Sequence, residues 1–65
     1  MKRTELKLIR IKKGLSQIEL AKKVELTNQS ISDYETGRAN PSFGVMQRIA
    51  KELNSPVDAL FFNEN

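Results

Sequence analysis

The stretch Ser16-Gln17-Ile18-Glu19-Leu20-Ala21-Lys22-Lys23-Val24-Glu25-Leu26-Thr27-Asn28-Gln29-Ser30-Ile31-Ser32-Asp33-Tyr34-Glu35-Thr36-Gly37 decides how this chain folds. It holds two helix starts. Ser16 and Glu19 form a capping box: the Ser hydroxyl accepts from the N–H three residues on, and the Glu side chain reaches back to the cap. A helix over 17–24 follows, with Leu20, Ala21 and Val24 facing inward. Only Glu25 and Leu26 then precede Thr27, a second good N-cap. The next helix runs over 28–36, and Gly37 supplies a left-handed stop. Two short helices therefore meet across a connection of about three residues.

The flanks follow the same grammar. A first helix spans 4–13, placing Leu6, Ile9, Arg10 and Lys13 on one face, with Gly14 as its stop. Pro41 closes the loop after Gly37. Ser42 caps a helix with Phe43, Met46, Ile49, Ala50 and Leu53 on one face, ended by Asn54. Ser55-Pro56 restarts the chain with Pro56 at the first helical position. A last turn carries Val57, Leu60 and Phe61, and the tail Asn63-Glu64-Asn65 is expected to fray. No segment alternates as a strand would. The expectation is one all-α domain over 1–65, a compact five-helix bundle with its core over about 4–61 and 62–65 as a short tail.

Composition narrows the function. The 65 residues contain no Cys and no His. Disulfides, the usual zinc ligands, Cys or His nucleophiles and His acid–base chemistry are thereby removed. The eight carboxylates are scattered over different helices. No glycine-rich phosphate loop is present, so neither an enzyme nor a cofactor nor a metal is expected. No apolar run approaches the roughly 18 residues of a membrane span, and the charged start does not read as a signal peptide. A cytoplasmic protein is the expectation. Net charge is +3, but residues 1–13 alone carry +5 and the remaining 52 sum to −2. A basic end of this kind suits phosphate or another anionic surface.

The third helix bears the chemistry. Projected at about 100° per residue, Ile31, Tyr34 and Glu35 fall on one side, and Asn28, Gln29, Ser32, Asp33 and Thr36 on the other. That second face has no aliphatic residue, no Lys and no Arg. Asn and Gln amides match adenine N6 and N7, Ser serves either role, and Asp accepts from cytosine N4. The free N–H groups of two helix starts, at Ser16-Gln17 and Thr27-Asn28, suit phosphates on either side of such a reading face. The layout is that of a helix-turn-helix.

Leu8-Ile9-Arg10, Gly14-Leu15-Ser16-Gln17, Glu19-Leu20-Ala21, Thr27, Ile31-Ser32, Tyr34-Glu35-Thr36-Gly37-Arg38, Pro41-Ser42, Ile49-Ala50, Leu53 and Leu60 carry a more specific likeness. In that register the chain resembles the phage Cro/CI repressors, the Xre family, over about residues 6–61. The resemblance implies a lambda-repressor-like, sequence-specific regulator of transcription, chiefly bacterial or phage, that binds double-stranded DNA. It implies that Asn28, Gln29, Ser32 and Asp33 face base edges in the major groove and that Gln17 holds a phosphate. Thr36, Arg38, Asn40 and the Ser42-Phe43 helix start are implied to touch the opposite backbone. It also pairs Arg10 with Glu35, both of which sit inward, where an unpaired charge is costly.

The chain departs from the pattern at Glu25, where the family often has Gly, and at Ser55, which replaces an aliphatic residue. Asp33 would repel phosphate unless it meets a cytosine amine, which suits exclusion of wrong bases. Ile18 points off its inward face and is expected to pack on a neighbouring helix. Leu60, Phe61 and Phe62 leave one aromatic exposed in so small a monomer, which suggests an association surface. Family members bind as two-fold dimers, and Val57, Leu60, Phe61 and Phe62 are the candidate contact. A repressor on a palindromic operator is the leading expectation. An antitoxin-like or adaptor protein that chiefly binds another protein is the alternative.

Overall fold

A computed structural model describes residues 4–62, the side chain of Thr4 excepted. The expected fraying of 63–65 lies outside the described residues. Five helices follow in order: α1 (Thr4–Lys12), α2 (Gln17–Lys23), α3 (Asn28–Thr36), α4 (Phe43–Leu53) and α5 (Val57–Phe61). No strand occurs among the described residues. α1 packs against α5 and α3, α2 against α3 and α4, and α4 against α5.

The caps set these boundaries. Ser16 Oγ accepts from the Glu19 N–H at 3.0 Å while Glu19 Oε1 accepts from the Ser16 N–H at 2.8 Å. The backbone Ser16 N–H, followed by the Ser16 hydroxyl, holds the Glu19 carboxyl below its ordinary pKa. Thr27 and Ser42 cap α3 and α4 in the same way, accepting from Ser30 and Val45. α1 and α2 each end one residue before the sequence boundary, because Lys13 and Val24 are already in the terminal turn. Pro56 is the N-cap of α5 and not its first helical residue, with extended backbone (ψ 149°). The Ser55 hydroxyl donates back to the Leu53 carbonyl at 3.2 Å.

The connection between α2 and α3 closes on itself. The Leu26 N–H donates to the Ala21 carbonyl at 2.8 Å and the Glu25 N–H to that of Lys22 at 3.3 Å. This is the Schellman arrangement, whose pivot must be left-handed. Glu25 is that pivot, with φ 61°. A left-handed L-residue costs roughly 1–2 kcal/mol, of which glycine's greater freedom in the unfolded chain offsets about 0.4–1. Glu25→Gly is therefore expected to raise the urea midpoint by the equivalent of about 0.5–1 kcal/mol with an unchanged slope. A lowered midpoint would show that the Glu25 side chain stabilises the turn more than its backbone strains it.

Leu6, Leu20, Ile31, Ile49, Leu53 and Leu60 are sealed from solvent, and Ala21, Val24, Met46, Ala50 and Phe61 complete the core. Two expectations are corrected. Phe43, placed on the inner face of α4, is 59% exposed. It is the first residue of that helix, and Val45 packs on the core instead. Ile18 does not bury itself on a neighbour but stays 54% exposed. Of the terminal aromatics, Phe61 enters the core and Phe62 is left outside.

Candidate nucleic-acid interface

Ile31 and Glu35 turn α3 toward the core, and this orientation presents the opposite face. Asn28, Gln29 and Thr36 are exposed there, and Ser32 and Asp33 half-buried. Thr27 occupies the Ser30 N–H at 3.0 Å. The first N–H groups of α3 have no intrahelical carbonyl and point past the helix start. Gln29 Nε2 donates to Asp33 Oδ1 at 2.9 Å, one turn along. The pair thus offers outward the Gln carbonyl oxygen, one amide N–H and the second carboxylate oxygen.

Behind this face lies a charged cluster. Arg10 Nε donates to Glu35 Oε2 at 2.6 Å and Nη2 to Oε1 at 3.2 Å, a two-pronged pair whose side chains are 8% and 3% exposed. Arg10 Nη1 also donates to the Leu15 carbonyl at 2.7 Å. Gln17 Nε2 reaches the same carboxylate, at 3.0 Å from Oε1. One carboxylate therefore fastens α1 and the start of α2 to the back of α3. The family resemblance pairs Arg10 with Glu35 but leaves Gln17 out of the cluster, giving it only a phosphate. Its second amide N–H and its carbonyl remain outside that bond.

The expected phosphate contacts form two groups. Ser16, Gln17 and Thr27 lie at the starts of α2 and α3. Thr36, Arg38, Asn40, Ser42 and Phe43 run from the end of α3 to the start of α4. Arg38, Asn40, Ser42 and Phe43 are exposed. The Thr36 hydroxyl donates to the Ser32 and Asp33 carbonyls at 3.0 and 3.3 Å, so it must release both before it can donate to a phosphate. Phe43 offers a phosphate no side-chain donor, only its backbone N–H. Leu60 and Phe61 are 2% and 6% exposed, so the expected association patch reduces on its surface to Phe62 and the half-buried Val57.

A helix-turn-helix family model matches residues 6–60. The chain belongs to the Xre-type helix-turn-helix family. That family's DNA-binding motif, serving transcription regulation, here comprises α2 and α3. It is not a family defined by catalysis. An uncharacterized HTH-type transcriptional regulator of Archaeoglobus fulgidus is 39% identical over 59 residues, 91% of this chain and 84% of its own. The immunity repressor protein of Bacillus phage phi105 is 34% identical over 59 residues, again 91% of this chain but 41% of the repressor. A putative multi-protein-binding factor 1 of Yarrowia lipolytica is 43% identical over 44 residues, 68% of this chain and 29% of that protein. Among the described residues, no helix is long and apolar enough to cross a membrane.

Proposed function

We propose that this Xre-type protein is a transcriptional repressor that binds a palindromic operator as a homodimer. Each α3 lies in the major groove of one half-site, where Asn28, Gln29, Ser32 and Asp33 read base edges. The observation that carries this reading is the outward face of α3, polar throughout and without aliphatic or cationic side chains. A face of hydrogen-bonding groups distinguishes bases, while charge for the backbone is met elsewhere. Ser16, Gln17 and Thr27 hold the phosphates on one side, and Arg38, Asn40, Ser42 and Phe43 those on the other. Thr36 joins the second group once its hydroxyl turns outward. The name of the phage phi105 relative supports repression. Val57 and Phe62 form the surface of the two-fold contact, which brings two weak half-site interactions together on one duplex. Such a protein works in the cytoplasm, at the nucleoid or in a phage-infected cell.

Two substitutions separate readers from holders. Gln29→Ala is expected to cost about 1–3 kcal/mol on the operator and to relax preference at one base pair. Arg38→Ala is expected to weaken binding to all duplexes about equally and to flatten the dependence of log affinity on log salt. Titrations at several salt concentrations, on the operator and on a scrambled duplex, measure both. Identical behaviour of the two variants would overturn the assignment of roles.

Exposed Phe62 and the multi-protein-binding factor among the relatives favour one second reading, an antitoxin-like or adaptor role. A stoichiometric protein partner retained after nuclease treatment would support it. Loss of every partner with the DNA would exclude it.

A further inference from the structure

Arg48 lies on α4, remote in sequence from both helices of the motif. Its Nη2 donates to the Val24 carbonyl at 2.7 Å, across 24 residues of chain and in a part-buried setting. Val24 is the C-cap of α2 and the residue before the left-handed Glu25. The Ala21 and Lys22 carbonyls are taken by the Leu26 and Glu25 N–H groups within the turn itself. The Val24 carbonyl, by contrast, is met from another helix, by a cation placed where the α2 dipole is negative. The anchor is firm: Met46, Ile49, Ala50 and Leu53 hold the inner side of α4 in the core. The one ion pair joining α2 to α4 among the described residues, Lys23 Nζ to Glu52 Oε2 at 3.9 Å, is solvated and weak.

We propose that Arg48 is a positioning residue for DNA reading: through the Val24 carbonyl it braces the turn that aims α3. The inference rests on the reading of α3 as the base-recognition helix. Glu25 makes the brace necessary, because the turn is held in a conformation that its pivot residue disfavours. Without Arg48, α3 keeps its core residues but loses a fixed angle to α2. Base contacts demand that angle to within a fraction of an ångström, whereas backbone attraction does not.

Arg48→Met keeps the length of the side chain and removes its donors; Arg48→Lys keeps one donor and the charge. Amide hydrogen exchange provides a readout that needs no DNA. In Arg48→Met, exchange at Glu25 and Leu26 is expected to accelerate about tenfold relative to Ile49, the change that follows from losing a charge-assisted hydrogen bond. The ratio of affinities for a selected duplex over a scrambled one falls by a similar factor, with an unchanged salt slope. Arg48→Lys restores most of both, and it carries the comparison if Arg48→Met does not fold. Unchanged exchange at Glu25 and Leu26 would overturn the brace. An equal loss on both duplexes with a shallower salt slope would show a phosphate contact instead. Absence of any preferred duplex for the unsubstituted protein would defeat the base-reading assignment, and the exchange result would still decide the brace.

Discussion

Glu35→Ala is expected to lower the stability of the domain by about 3–5 kcal/mol, because it strands a buried guanidinium. A domain of 65 residues has roughly 3–10 kcal/mol in total, so this one change removes a large share of it. The size of the effect follows from burial, since the Arg10 and Glu35 side chains are 8% and 3% exposed. The carboxylate accepts from Arg10 Nε and Nη2 and from Gln17 Nε2, and its removal deprives all three donors at once. A pair so shielded is screened little by salt, so the loss should persist at high ionic strength. Urea unfolding followed by circular dichroism measures it. The double change Arg10→Met with Glu35→Leu should recover most of the loss, because well-packed apolar groups replace buried ion pairs at little net cost. An unchanged midpoint for Glu35→Ala would show that the pair is solvated in solution.

Ile31→Ala should cost about 2–5 kcal/mol and Ile31→Val about 0.5–1.5. Ile31 is fully buried and is the principal aliphatic anchor of α3 on the core. α3 has nine residues, and a helix that short is held by tertiary packing more than by its own propensity. The graded series separates a cavity from a general weakening of the helix. Equal effects of Val and Ala would contradict a packing origin, since Val keeps the β-branch and loses only one methyl group. In both variants the denaturant slope should stay near that of the unsubstituted chain, since the surface exposed on unfolding hardly changes.

These energetics explain which features could be read from the residues alone. Helix starts were legible because Ser16, Thr27 and Ser42 act locally, each through the N–H group three residues on. The left-handed stop at Gly37 was equally local. The two faces of α3 were legible because Ile31 and Glu35 recur at helical spacing. Features set by neighbouring helices were not. Phe43 fits the inner stripe of α4 by periodicity, yet it stands at the end of the helix, where it is not buried. Leu60-Phe61-Phe62 is a continuous apolar run, and only the packing of α5 on α1 and α4 determines that Phe62 is the residue left outside. Gln17 and Arg48 find partners 18 and 24 residues away, and no local pattern encodes such contacts. The Gln29–Asp33 bond was accessible in principle, since the two are four residues apart on one helix, where side chains meet.

The most direct test of base reading by α3 is selection from a pool of random duplexes by the 65-residue chain and by its Gln29→Ala variant. The expected outcome is an enriched inverted repeat with half-sites centred about one helical turn apart. In the variant's motif, one base pair of each half-site should become relaxed while the rest is kept. Enrichment of no sequence by the unsubstituted protein, or the same motif at full strength from Gln29→Ala, would contradict the claim that this helix face reads DNA.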